Sequence, residues 1–168
     1  LSNLGQMVTS SLFLGNLFEF LDLQPQVVAP AEPLPAPAYL EQGIHFRQVT
    51  FRYPGSQRPA VVGCDLYIPS GQVAAIVGEN GAGKSTLVKL LCRFYDPQEG
   101  NIDLDGVDLR HMGIEDIWKR ITVLFQNPLP YHATAGQNIA LGDLRALATL
   151  SNIEAAARHA GADQVIAS

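Results

Sequence analysis

The stretch Gly78-Glu79-Asn80-Gly81-Ala82-Gly83-Lys84-Ser85-Thr86 places glycines, one lysine and two hydroxyls at the G-x-x-x-x-G-K-S spacing of a phosphate-binding loop. Gly78, Gly81 and Gly83 let the backbone turn tightly and bring its N–H groups against phosphate oxygens, with Asn80, Ala82 and Thr86 completing the cradle. A helix beginning near Lys84 aims its positive dipole end and unpaired amides at the same oxygens. Lys84 adds a full charge for the β- and γ-phosphates, and the Ser85 hydroxyl is placed to ligate Mg²⁺. This chemistry implies a nucleoside triphosphate with its magnesium ion as ligand.

A loop of this kind needs a strand before it and a helix after it, and the sequence provides both signals. Gln72 to Val77 is a short β-branched apolar run that reads as a buried strand, and Leu87 to Phe94 carries apolar residues at helical spacing. Upstream, Ile44 to Tyr53 alternates apolar and polar residues as a half-buried strand, and Ala60 to Ile68 reads as its partner. Asp96-Pro97 and Gly100 end the helix after the loop. Ile102-Asp103-Leu104, Asp105-Gly106 and Val107-Asp108-Leu109 read as a hairpin with a tight turn. A short helix over Ile114 to Lys119 precedes another buried strand, Ile121 to Phe125, which ends at Gln126. Ser151-Asn152-Ile153-Glu154 has the form of a capping box opening a helix through Ala160, closed by Gly161.

The chain divides into three zones. Residues 1–24 carry no charge before Glu19 and place Leu4, Val8, Leu12, Leu14, Leu17, Phe18 and Leu21 at helical intervals, with Gly5 and Gly15 as interruptions. Ser2, Asn3, Gln6, Thr9, Ser10, Ser11 and Asn16 dilute that stretch too much for a bilayer span. It reads as an amphipathic helix that packs on partner helices or continues from a span. Residues 25–42 hold five of the eleven prolines, between Pro25 and Pro37, and read as a stiff extended linker at a domain boundary. Residues 43–168 have the mixed pattern of a compact α/β domain. A net charge of −5, with no basic stripe, argues against nucleic acid as the main partner. Cys64 and Cys92 are isolated and read as buried free thiols, and the four histidines show no ligand spacing. The start at Leu1, in mid-pattern and without an initiating methionine, suggests a piece of something longer.

Together these motifs resemble the exporter-type ATP-binding cassette (ABC) transporters. The likeness rests on Phe51-Arg52-Tyr53-Pro54, the phosphate loop, Phe94-Tyr95-Asp96-Pro97-Gln98-Glu99-Gly100-Asn101-Ile102, Asp105-Gly106, Gln126 and Gln137-Asn138-Ile139. The Ala-rich segment after Ile153 fits as well, so the likeness covers residues 44–168, and the helix plus linker fits the family's link from membrane domain to cassette. The resemblance implies an α/β fold: an incomplete phosphate-loop NTPase core with an antiparallel β subdomain. It implies that Tyr53 stacks on adenine and that Gln126 contacts Mg²⁺ and the attacking water while sensing the membrane domain. Lys84 and Gln126 are then the candidate catalytic residues, and ATP and Mg²⁺ the cofactors. The implied partners are a second cassette and the membrane domain, and the implied place is the cytoplasmic face of the cell membrane. From the residues alone, an aromatic such as Tyr53 at the end of a strand is more often core or interface than a base platform, and Gln126 reads as a solvated loop glutamine.

Departures from the family pattern lie after Gln126. Tyr131 or its neighbour stands where a phenylalanine is usual, Ala135 where an isoleucine is, and Pro128 and Pro130 stiffen the loop. No L-S-G-G-Q-like signature, no apolar strand ending in Asp-Glu and no later histidine occurs before Ser168. The sheet is therefore expected to have open edges, and residues 1–168 alone to bind nucleotide weakly and not to hydrolyse it. A soluble ABC-type mechanical ATPase acting on nucleic acid or ribosomes is the alternative, disfavoured by the helix and proline linker and by the low basic charge. A GTPase or kinase sharing only the loop lacks an Asn-Lys-x-Asp segment and leaves Tyr53 and Gln126 unexplained.

Overall fold

The computed structural model describes residues 2–128, 131–143 and 149–167, with only the backbone given for 2–10, 12 and 167. The chain forms two compact units, Leu1–Thr122 and Val123–Ser168.

The first unit is built on a four-stranded antiparallel sheet in the order β2-β1-β3-β4, with β1 Gly43–Phe51, β2 Val61–Pro69, β3 Glu99–Leu104 and β4 Val107–Asp108. β1 pairs β2 in a register that includes Ile44 with Ile68 and Phe46 with Leu66, and pairs β3 through Ile44 with Leu104 and Phe46 with Ile102. Strict alternation along β1 would put Gln48 on the same face as Phe46. Instead the register shifts between Phe46 and Val49, where Gln48 takes φ 47°, so Phe46, Val49 and Phe51 are all buried. The Asp65 carboxylate accepts from the Gln48 backbone N–H at 2.9 Å, which satisfies an amide that the bulge takes out of the ladder. Asp105 (φ 51°) and Gly106 (φ 80°) make the left-handed pair that the tight turn between β3 and β4 requires.

Helix α2 (Lys84–Leu91) lays Leu87 and Leu90 on the inner face of the sheet. Leu109 and Met112, with Ile117 of α3 (Ile114–Trp118), complete a core that includes Phe46, Val49, Phe51, Ile102 and Leu104. Each of these large side chains, taken from water to full burial, contributes about 1.5–3 kcal/mol. α2 ends three residues before the Phe94 suggested by periodicity, because Arg93 turns left-handed at φ 52°.

The proline-rich stretch is docked along the first unit. Leu34 forms a parallel bridge with Met112, Ala36 is buried in the core, and the Ser70 hydroxyl donates to the Leu40 carbonyl at 2.5 Å. Arg93, only 3% exposed, fastens the stretch from below: one guanidinium nitrogen donates to the Val28 carbonyl and another to the Met112 carbonyl, each at 3.0 Å, while Nε reaches Asp96 at 3.1 Å. Where this stretch joins β1, the Asp105 carboxylate accepts from the backbone amides of Glu41, Gln42 and Gly43 at 2.8–2.9 Å. Those bonds, Gly43's foremost, hold the Asp105 carboxyl below the ordinary carboxylate range. Before it, α1 (Ser2–Leu21) runs through both glycines and exposes Phe13, Leu14, Phe18, Phe20 and Leu21. No helix among the described residues is long and apolar enough to cross a membrane.

Two expected strands are not formed. Gln72 to Val77 and Ile121 to Phe125 make no ladder among the described residues, and Val73, Val77 and Leu124 stand almost fully exposed at 101%, 91% and 87%. A strand whose residues are apolar on both faces needs neighbours on its edges and cover on its faces. Among the described residues no strand pairs with either run. Ile121 alone of the two runs packs against the core, half-buried.

The second unit is helical, with α4 (Ala135–Ala140), α5 (Leu150–His159) and α6 (Asp163–Ala167). Its caps differ from the sequence reading. Thr149, not Ser151, caps α5, accepting from the Asn152 amide at 3.3 Å, so the expected Ser151–Glu154 box lies inside the helix. A full capping box stands instead on α4, where Thr134 and Gln137 exchange bonds. The Asn138 side-chain amide donates to the carbonyls of Ala133 and Thr134 at 3.1 and 3.0 Å, so Gln137 and Asn138 have structural work in this loop. Leu129 and Pro130 lie outside the described residues.

Candidate functional site: a phosphate loop with an aromatic platform

The loop stands at the N-terminus of α2. Gly83 caps that helix at φ 86°, and the amides of Thr86 and Leu87 donate back to its carbonyl at 2.9 and 3.1 Å. A Cβ on Gly83 would lie 2.5 Å from the Ala60 carbonyl oxygen and 3.2 Å from a Val61 methyl, so the loop's end is set against the start of β2. Gly81 is also left-handed, at φ 84°, but faces open space. Gly78 is not: its φ is ordinary and an added Cβ would meet only Ala82 Cβ at 3.5 Å. Left-handed backbone is thus found at Gly81 and Gly83 and not at Gly78, whose ordinary φ and open surroundings would admit a Cβ.

Lys84 Nζ donates to the carbonyls of Gly78 and Glu79 at 2.8 and 2.6 Å, folding its charge over the loop. Residues 71–82, Asn80 and Ala82 among them, are exposed, as is Ser85, whose hydroxyl makes no hydrogen bond among the described residues. A free hydroxyl in the first helical turn fits Mg²⁺, which keeps most of its waters and takes few protein ligands beside the phosphates. No group of three or more His, Cys, Asp or Glu side chains gathers into a metal site among the described residues. Ser85 would thus hold the ion together with the phosphate oxygens, and the ion would supply positive charge at the β- and γ-phosphates.

Tyr53 stands beside this helix. Its hydroxyl is 3.1 Å from Thr86 Oγ1, and its ring makes edge contacts with Phe51 and Tyr95 at centroid distances of 4.9 and 5.3 Å. Lys89 Nζ lies over the Tyr53 ring, 5.2 Å from its centroid. The fold thus brings Tyr53, Lys84, Ser85 and Thr86 to one helix; Thr86 is buried, and Tyr53 half-buried. Lys89 was missed in the sequence, although its i+4 spacing from Ser85 puts it on the same helical face. Gln126 belongs to the second unit, exposed on a bend that follows the Ile121–Phe125 run. An open apolar groove of about 630 Å³ among α4, α5 and α6, lined by Ile139, Ile153 and Ala157, contains none of the expected site residues.

Comparison with known proteins agrees with this geometry. The ABC transporter family model matches residues 61–167. The chain is 35% identical over 158 residues to Multidrug resistance protein homolog 65 of Drosophila melanogaster, covering 90% of this chain and 12% of that protein. It is 37% identical over 147 residues to an ATP-dependent lipid A-core flippase of Methylobacillus flagellatus, covering 88% of this chain and 24% of that protein. Among solved structures, a bacterial Atm1-family ABC exporter with ATP bound superposes with a TM-score of 0.82 at 32% identity, over 92% of this chain and 26% of that one. The chain spans about a quarter or less of the length of these relatives. With the phosphate loop and the helix that follows it in the matched segment, the chain belongs to the ABC transporter family.

Proposed function

We propose that residues 1–168 are the ATP-binding part of an ABC exporter, in which ATP binding and hydrolysis drive transport across a membrane. The observation that carries this reading is the loop held by left-handed Gly83 at the start of α2, with Lys84 folded over it and Tyr53 tied to Thr86. Lys84 then moves from the loop carbonyls to the phosphates, Ser85 takes Mg²⁺, and Tyr53 offers its ring to adenine. Gln126 serves as the second Mg²⁺ contact and positions the attacking water. A second cassette and a membrane domain are the partners, and the cassette works on the cytoplasmic face. The exposed apolar helix α1 supports attachment to further helices. Residues 1–168 by themselves would not turn over ATP, since the run that must carry the loop is unpaired and exposed.

The test is Lys84→Ala in the full-length protein. It removes the one full charge aimed at the terminal phosphates while keeping the backbone cradle, so ATP turnover should collapse and ATP affinity should weaken less. An ATPase rate within twofold of wild type would refute the assignment.

A further inference from the structure

We infer that Lys89 is a base-selecting residue of this nucleotide site and that it shifts the site toward guanine, so that GTP is accepted beside ATP. The inference rests on the proposed nucleotide reading and extends it to the base. Lys89 lies five residues past Lys84, about 7.5 Å along the helix axis at 1.5 Å per residue. It shares a face with Ser85 and Thr86, away from the terminal-phosphate end and on the side where Tyr53 stands. The Tyr53 ring is pinned by its hydroxyl on Thr86 and by edge contacts with Phe51 and Tyr95. The Lys89 ammonium sits over that ring, half-buried, and has neither a hydrogen bond nor a carboxylate partner among the described residues.

A half-buried lysine normally reaches water or an acid. Here the side chain holds three unspent N–H donors over the face of the aromatic ring, from which an incoming base would move them to its own rim. A bare aromatic platform is nearly indifferent to base identity, because every base has a π face. Adding a cation breaks that indifference. Guanine presents two adjacent acceptors, N7 and O6, which suit an ammonium, whereas adenine pairs its N7 acceptor with an N6 amino donor that does not. The face of the ring is also a cation site in its own right, which keeps Lys89 at the platform in the absence of a base.

The experiment measures ATP and GTP separately as competitors of a fluorescent ribose-modified ATP, on the full-length protein and on its Lys89→Met and Lys89→Arg variants. Methionine keeps the stem and its packing and removes the donors. Lys89→Met should weaken GTP about three- to tenfold and ATP less than about twofold, and Lys89→Arg should retain the wild-type ratio. An unchanged GTP-to-ATP ratio in Lys89→Met, whether both affinities hold or both fall together, would overturn the inference while leaving the nucleotide site standing. A wild-type protein that binds neither nucleotide would defeat the proposed function itself, and the inference with it.

Discussion

The three loop glycines allow the demands of the fold to be separated from the demands of a ligand. Replacing Gly83 by alanine places a Cβ at φ 86°, a left-handed conformation that costs an ordinary residue about 1–2 kcal/mol. The same Cβ would lie 2.5 Å from the Ala60 carbonyl oxygen, a backbone atom that can move only with the start of β2. Overpacking of that kind adds about 1–3 kcal/mol. The sum is about 2–5 kcal/mol, a loss on the order of 5–15 °C in Tm for a chain of this size. Gly81→Ala carries only the conformational part, because nothing lies within 4 Å of its Cβ. Gly78→Ala has neither penalty and should leave stability within about 0.5 kcal/mol. If phosphates press against the loop, however, Gly78→Ala should still weaken nucleotide binding. Trp118 is the one tryptophan of residues 1–168 and donates to the Cys92 carbonyl at 2.8 Å, so its fluorescence follows unfolding of the first unit. The expected order of destabilisation is Gly83 above Gly81 above Gly78. A Gly83→Ala variant melting with wild type, or a Gly78→Ala variant losing as much as Gly83→Ala, would refute the reasoning.

Other perturbations follow from single contacts. Tyr53→Phe removes the hydroxyl from Thr86 and should cost about 0.5–1.5 kcal/mol of stability while nucleotide titration stays near wild type; Tyr53→Ala should lose about 1–3 kcal/mol of binding, and equal affinities for the two variants would exclude the platform. Asp105 has its carboxyl held below its unfolded value, so its contribution is present above the unfolded carboxylate pKa and is lost as pH falls through the folded one. Asp105→Asn should therefore flatten the fall of Tm below about pH 4, and a melting curve that falls as steeply as wild type would count against the clasp on Glu41, Gln42 and Gly43. Arg93→Met strands the buried Met112 carbonyl and releases the Val28 carbonyl, and should cost about 1–3 kcal/mol, with faster amide exchange at residues 26–34; uniform exchange along that stretch would argue that Arg93 does not fasten it.

Local signals settled the parts whose geometry is local. The alternation in β1 and β2, the Asp105-Gly106 turn and the glycine loop running into α2 all depend on neighbours a few residues away, and the sequence alone was enough to place them. It was also enough to point to a triphosphate and to the ABC resemblance, because Gly81, Gly83, Lys84 and Ser85 carry their chemistry in their order. Tertiary structure decided the rest. Apolar character in Gln72–Val77 and Ile121–Phe125 shows only that these runs favour burial; becoming strands requires a neighbouring strand to pair with, and no ladder includes either run among the described residues. Gln48's bulge lets Phe46 and Val49, three residues apart, face the core together, and that core is completed by α2 from a distant part of the chain. Arg93's grip on Val28 and Met112, Asp105's hold on Gly43, and the meeting of Tyr53 with Thr86 and Lys89 all join residues far apart in the chain. Periodicity records which way a side chain tends to face. What it meets there is fixed only when distant segments are brought together.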